Sequence, residues 1–382
     1  DIRNIGFPLD SFLGNTLLRM YGKHESIREA ETVLVSVLHR TVVSWTSMIL
    51  SYVEQGQAKK ALLSYRQMHE EGIQPNQLTF VTALQACGIL VDLTLDQQKH
   101  MRSVCLSICQ SLHDDVQRMG FSSDLFIITS LLIAYGKCGS LSQAEEVFYG
   151  SSRCDNVMWN AMLSTLVEQS QSEKALQLYK SMINEEMPLD DITIITVLQA
   201  CSEASSVELC RELHFNIVSN VIQACPLVAS SLIHAYGRCA SRTDAEAVYS
   251  ELTQADVVSS NALMAIYAWE GNGDASLTML QDVLLTGLKP DAITFAPLLS
   301  ACNHDGNVKE CIEFMKCMKQ DYDINPDLKH YLSIADLVGR AGDFNRFEDI
   351  RWRLSVPDNV TIRPCVYDHG NVNLKTICVY DH

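Results

Sequence analysis

The sequence predicts an all-α chain, a solenoid of stacked helix–turn–helix hairpins, and three observations predict it. Phrases recur. "SLLIAYGKCGSLSQAEEVF" at Ser130–Phe148 returns as "SLIHAYGRCASRTDAEAVY" from Ser231, 101 residues on, and "TLLRMYGKHESIREAETVL" precedes it from Thr16, 114 residues earlier. Within each phrase the apolar residues fall at i, i+3, i+4 and i+7, the stripe of an amphipathic helix. Gly or Asn then separates paired runs, and Gly with Pro closes them, because Gly suits the turn after a helix and Pro cannot continue one. A 382-residue chain would by length alone hold two or three globular domains, but internal repeats override that count.

The landmarks keep one register. Tyr21, Tyr135 and Tyr236 stand in "YGK" or "YGR"; Trp45 and Trp159 share a slot; Cys87, Cys201 and Cys302 each follow Ala. The tyrosine and cysteine steps are both 114 and then 101, so the period is 101 residues and one copy carries 13 more. Each period divides into three hairpins of 31, 35 and 35 residues. One is "VVSWTSMILSYVEQGQAKKALLSYRQMHEEGIQPN", Val42–Asn76, with Gly56 between its helices and Gly72 and Pro75 at its end. Two helices of about 12 residues, roughly 18 Å each, are too short to persist alone. They must stack, burying Ala61, Leu62 and Met68, or Ala175, Leu176 and Met182, between neighbours and generating a superhelix with a concave face.

Composition agrees with a continuous core: 47% hydrophobic residues, 20% charged and nine prolines exclude a disordered chain. No apolar run of about 18 residues is present, so no membrane span is expected. The chain has neither an initiator Met nor a signal-like block, and reads as an internal fragment whose targeting segment lies outside it. The 14 cysteines are scattered, many in apolar phrases such as "LQACG" and "LSACN", where a free thiol acts as a small hydrophobe in a reducing compartment. Net charge is −17 with a pI near 5.0, an unusual balance for a nucleic-acid binder.

The phrases "VVSWTSMI…GIQPN", "NVMWNAML…EEMPLD" and "VVSSNALM…GLKPD" resemble pentatricopeptide repeats of the standard type. "TFVTALQACG", "TIITVLQACS" and "TFAPLLSACN" resemble the long type, and the "YGK" hairpins the short type. Their order is similar to that of the PLS subgroup of plant organellar proteins, here without the DYW domain, and the resemblance covers nearly the whole chain. It implies a right-handed superhelical α-solenoid with these boundaries: the end of a long-type repeat at 1–10; short-type 11–41; standard 42–76; long-type 77–124 with an insert at 98–110; short-type 125–155; standard 156–190; long-type 191–225; short-type 226–256; standard 257–291; long-type 292–327; short-type 328–359; and a degenerate extension-motif-like tail at 360–382.

The resemblance further implies binding of single-stranded RNA, one base per repeat, read by the fifth and last residues. The pairs are Asn15 with Thr41, Thr46 with Asn76, Thr129 with Asp155, Asn160 with Asp190, Ser230 with Asp256, and Asn261 with Asp291, all able to hydrogen-bond. The long-type repeats carry Val81, Ile195 and Ala296 at the fifth position, which have no such side-chain groups. By the family's preferences the order, 5′ to 3′, is a pyrimidine, A, any base, G, U, any base, G, U. The same residue types also suit helix caps and turns. Lys23, Lys137, Arg238 and Arg340 share one slot in the short-type repeats; each is placed either to meet a phosphate or to complement a helix C-terminus.

No catalytic centre, cofactor or metal is expected. The deaminase signature of many subgroup members, His-x-Glu followed by Pro-Cys-x-x-Cys, is missing: His69-Glu70-Glu71 lies in a repeat helix, and Pro364-Cys365 has no second Cys three residues on. "CVYDH" occurs at Cys365–His369 and Cys378–His382, which offers four zinc ligands in principle but also resembles a shortened form of the family's extension motif. The insert "QKHMRSVCLSICQ" either extends a helix or protrudes as a loop. The expected partners are single-stranded RNA and, supplied in trans, a DYW-type deaminase with other organellar editing factors. The function is then site recognition for RNA processing, C-to-U editing above all, in a mitochondrion or chloroplast. The alternatives are a protein-binding scaffold or a decayed gene fragment.

Overall fold

The computed structural model describes residues 10–24, 26–93, 99–151, 153–219, 225–252, 255–341, 360–369 and 372–381. The long-type remnant at 1–10 apart from Asp10, Gln98 of the insert, the second half of the last short-type repeat at 342–359, and His382 lie outside the described residues.

Among the described residues are 19 helices, in two compact units, 1–200 and 201–382. In the first unit the hairpins are α1 (Ser11–Lys23) with α2 (Ile27–Ser36), α3 (Val42–Glu54) with α4 (Ala58–Glu70), α5 (Gln77–Asp92) with α6 (Lys99–Arg118), α7 (Leu125–Lys137) with α8 (Leu141–Gly150), and α9 (Asn156–Glu168) with α10 (Ser172–Asn184). The division falls inside α11 (Asp191–Ala204). The second unit continues with α12 (Val207–Ser219), α13 (Pro226–Arg238) with α14 (Arg242–Glu251), α15 (Val257–Trp269) with α16 (Gly273–Leu285), α17 (Ala292–Asp305) with α18 (Val308–Gln320), and α19 (Leu328–Ala341). Within each unit the first helix of a hairpin packs on the first helix of the next: α1, α3, α5, α7 and α9 in one, α13, α15, α17 and α19 in the other. No helix among the described residues is long and apolar enough to cross a membrane.

The "YG" landmark marks where these first helices touch. A Cβ on Gly136 would lie 2.6 Å from Thr165 Cγ2 of α9, one on Gly22 2.1 Å from Ser51 Oγ of α3, and one on Gly237 2.4 Å from Ile266 Cγ1 of α15. The first Gly of "GKCG" is therefore a contact surface inside α7, and the second, Gly139 at φ 78°, makes the turn. Of the cysteines that recur in the register, Cys87, Cys138, Cys201, Cys210, Cys302 and Cys311 are buried and Cys239 is half-buried. Burial pushes the Cys302 and Cys311 thiols up to about 12, so they remain protonated packing groups.

Left-handed turn residues also follow the register. Gly56 and Gly72 of the first period and Gly139 of the second stand where Ser170, Glu186 and Ala240 stand one period later, each of these at φ 55°. Ser205, at φ 51°, is matched by Gly306. The backbone keeps the turn although the Cβ opposes it.

The 13 additional residues are spread over the hairpin. α5 has 16 residues and α6 has 20, against 14 in α11 and 13 in α12; the rest fall in the connection between α5 and α6. The described part of the insert is thus helical, with Cys105 and Cys109 fully buried. A cleft of about 600 Å³ separates α6 from α4, lined by Leu62, Tyr65, Leu90, Leu112 and Asp115 among others. The Tyr65 hydroxyl donates to Asp115 across it at 3.0 Å. The His69-Glu70-Glu71 triplet is structural here: Glu71 accepts from the Trp45 indole at 3.1 Å and pairs with Arg40.

The tail departs from helix. β1 (Val360–His369) and β2 (Val372–Asp381) form an antiparallel pair in which Cys365 lies opposite Thr376 and Cys378 opposite Arg363. Val, Ile, Thr and Tyr dominate both segments and favour strands, with Gly370 and Asn371 between them. The two "CVYDH" phrases are offset along the pair. No cluster of three or more metal-ligating side chains occurs among the described residues.

Two stability outcomes follow. Gly136→Ala drives a methyl into Thr165 and should cost about 1–3 kcal/mol, whereas Gly150→Ala, with nothing within 4 Å, should not lower the melting temperature. Ala240→Gly relieves the left-handed Cβ and should stabilise by about 1 kcal/mol, measured by urea unfolding with an unchanged m-value.

Candidate nucleic-acid interface

The last residue of each repeat sits just before the next first helix and, except at Cys225, caps it. A helix start leaves N–H groups without partners, and a side-chain oxygen at the N-cap satisfies one. Asp155 accepts from Met158 N at 2.9 Å, and Asp190, Asp256 and Asp291 accept from the N–H of Thr193, Ser259 and Thr294, each at 2.8 Å. Asn76 accepts from Thr79 N at 2.9 Å, and the Thr41 hydroxyl from Ser44 N at 3.4 Å. All six residues proposed from the sequence as last-position readers are thus caps.

The fifth residues are drawn against these caps. The Asn160 amide donates to both Asp190 carboxylate oxygens at 3.0 Å, and the Asn261 amide to Asp291 Oδ1 at 3.0 Å. Thr46 meets Asn76 through Thr79: the Thr46 and Thr79 hydroxyls are 2.7 Å apart, and Thr79 donates to Asn76 Oδ1 at 2.8 Å. Ser44 joins Asn15 and Thr41 similarly, donating to Asn15 Oδ1 at 2.6 Å with its hydroxyl 3.3 Å from that of Thr41. The other two pairs are not hydrogen-bonded to each other among the described residues. Ser230 donates to the Leu227 carbonyl at 3.0 Å, and no hydrogen bond links Thr129 to Asp155. Five of the six fifth residues are buried, with Asn160 only 7% and Asn261 5% exposed.

Asp190 is the most heavily bonded cap. Partial burial pushes its carboxyl up, but the Thr193 N–H and hydroxyl and the Asn160 amide outweigh that and hold it below its ordinary value, so it is a carboxylate at neutral pH. Asn156 donates to its other oxygen at 2.6 Å.

One set of residues escaped the sequence reading. The second position of nine repeats is apolar and exposed: Phe12, Val43, Leu78, Phe126, Val157 and Ile192 in the first unit, Leu227, Val258 and Ile293 in the second, at 46 to 82% exposure; in the last repeat it is Lys329. An amphipathic-helix reading assigns such residues to the core. The signal that distinguishes them is their place in the first turn, off the buried stripe and three residues before the fifth position. Six of the nine thus lie one turn from a polar fifth residue, while Leu78, Ile192 and Ile293 lie one turn from Val81, Ile195 and Ala296.

Comparison with known proteins bears on these repeats. The PPR repeat family model matches residues 40–88, the PPR repeat model 126–150 and 157–187, and the pentatricopeptide repeat domain model 278–341. The chain carries pentatricopeptide repeats. A pentatricopeptide repeat-containing protein of Arabidopsis thaliana is 30% identical over 371 residues, 97% of this chain and 52% of that protein. Another from the same plant, named chloroplastic, is 30% identical over 88% of this chain and 40% of its own length; one named mitochondrial is 27% identical over 96% and 42%. The chain spans about half the length of the curated relatives it matches. The crystal structure of the pentatricopeptide repeat protein PPR10 in complex with an 18-nt psaJ RNA element superposes with TM-score 0.70 and 18% identity, over 90% of this chain and 50% of that one. That likeness establishes the fold, a solenoid of helical hairpins.

The cations of the short-type pentatricopeptide repeats divide. Lys137 pairs with Asp92, and Arg340 with Asp336 at 2.8 Å, while Lys23 and Arg238 are exposed at their helix ends. Others join successive hairpins, as Lys60 with Glu31 at 2.9 Å and Lys174 with Glu145 at 2.8 Å. These exposed pairs add little stability, but they occupy charge that phosphate would otherwise meet.

The depressed Asp190 carboxyl has a stability sign. Its contribution is complete above the unfolded carboxylate value, given as 3.8, and is lost as pH falls through the lower folded value. Asp190→Asn should therefore lower the melting temperature at pH 7, and the gap to wild type should close as pH drops below 4.

Proposed function

We propose that the chain binds single-stranded RNA one base per repeat, with the fifth and last residues reading base edges. The observation that carries this is the repeated juxtaposition of an exposed apolar second residue with a capped polar pair. A base needs a flat apolar contact for its face and hydrogen-bonding groups for its edge, and each short or standard repeat of the first two periods has both. That PPR10 has been crystallised with an RNA element supports the reading. The acidic balance and the occupied cations direct affinity toward stacking and hydrogen bonds.

The order of hairpins further supports a PLS-type organisation in which this chain selects a site for C-to-U editing by a DYW-type deaminase in trans. The chloroplastic and mitochondrial names among the relatives support an organellar address. On this reading the chain positions RNA and performs no chemistry.

The expected outcome is binding to an oligonucleotide of order pyrimidine-A-N-G-U-N-G-U, 5′ to 3′. Exchanging its G and U positions should weaken binding at least tenfold in a filter or anisotropy assay, with a salt slope corresponding to only two or three phosphates. Equal binding of both RNAs removes base reading, and no binding at low salt favours a protein-binding scaffold.

A further inference from the structure

We infer that the hydroxyl at the third position of a long-type repeat, Thr79 and Thr193, is a specificity-positioning residue that fixes whether the preceding fifth residue presents a hydrogen-bond donor or an acceptor to RNA; this rests on the base-reading proposal above.

The argument is an account of protons. Thr79 Oγ1 receives the Asn76 backbone N–H at 3.2 Å and lies 2.8 Å from Asn76 Oδ1, which already accepts from the Thr79 N–H and is therefore the carbonyl end of that amide. A hydroxyl has one proton, and at Thr79 it goes to Asn76. The contact of 2.7 Å between Thr46 and Thr79 then requires the Thr46 proton to point at Thr79. Thr46 is left with lone pairs only, an acceptor suited to a base amino group.

The same position inverts the polarity at the next standard repeat. Asn160 turns its NH₂ toward Asp190, and its Oδ1 lies 2.6 Å from Thr193 Oγ1, which also lies 2.8 Å from Asp190 Oδ1; the shorter contact takes the Thr193 proton. Two oxygens at that distance need a proton between them, and only Thr193 has one. With its carbonyl occupied, Asn160 has one free group, the second amide N–H, a donor suited to a keto oxygen. Cytosine offers an amino group where uracil offers that oxygen, so accepting it requires an amide flip that breaks the Thr193 bond and turns Oδ1 toward the Asp190 carboxylate. Without the hydroxyl, only the carboxylate resists the flip.

The third period supplies a contrast. Asn261 donates to Asp291 at 3.0 Å, but its Oδ1 is buried and has no hydrogen-bond partner: Thr294, like Thr193, lies within reach of its Asp cap, at 2.9 Å, but makes no bond to the fifth residue. Its amide is less firmly oriented, so uracil over cytosine should be discriminated less sharply there than at Asn160.

The test uses the full chain and RNA differing only in U or C at the Asn160 position, with dissociation constants measured for wild type, Thr193→Val and Thr193→Ser. Valine keeps the shape and the backbone cap; losing one such bond should reduce the U/C ratio roughly tenfold, and serine should restore most of it. Discrimination at the other bases should stay at wild-type values, which a general loss of structure would not produce. If Thr193→Val does not fold, Thr79→Val provides the equivalent reading as the A/G ratio at the Thr46 position. An unchanged ratio in the folded valine variant, with RNA still bound, overturns the inference alone. Absence of any base preference in wild type overturns the base-reading proposal and the inference with it.

Discussion

The structure depends on one local requirement, an acceptor at the start of the first helix of a hairpin; the second helices α2, α4, α8, α10 and α14 have no side-chain cap. Helices of 13 residues leave several N–H groups unpartnered at their first turn, and Thr41, Asn76, Asp155, Asp190, Asp256 and Asp291 each supply an oxygen to the helix that follows. This bond ties one hairpin to the next, and it places a polar group at the same point of every period. The fifth residue then faces that group across one helical turn. A structural need thus fixes the position of the candidate reading pair, and capping and reading are two uses of one side chain.

This dual use explains why the pairs differ in how closely they are joined. Where the following helix carries a hydroxyl at its third position and the fifth residue is Asn or Thr, a continuous set of hydrogen bonds forms, as at Asn160–Asp190. Met158 follows Asp155 and has only a backbone N–H to give, so the Thr129 pair is left unlinked. Ser230 is too short to reach and turns back to its own helix. Direct contact is therefore confined to Asn at the fifth position with Asp at the last.

The period, the hairpins and the alternation of lengths were legible because turn residues and landmark aromatics obey the register even where the connecting sequence drifts. Two features were not. The packing role of Gly136 was hidden because a glycine between two helical phrases reads as a hinge, and only the approach of α9 reveals the contact. The exposed second-position residues were hidden because hydrophobicity alone assigns Val157 or Ile192 to a core. Nor was burial of the polar fifth residues legible: Thr46 and Asn160 lie buried because their partners are polar too. The extension of α6 was one of two open readings; its apolar Cys105, Cys109 and Leu112 decide it by finding a core to enter.

The left-handed turns lead to a statement about cooperativity. From Gly56 to Gly139 those turns are glycines; Ser170, Glu186, Ser205 and Ala240 then occupy successive ones, each carrying about 1–2 kcal/mol of backbone strain. In a linear array, stability is a sum of local and nearest-neighbour terms, so strain gathered in one stretch weakens that stretch alone. The middle period is where partial opening should begin and where amide exchange should be fastest. Thermal melting then departs from a single all-or-none transition, with the glycine-turned hairpins the last to lose their helices.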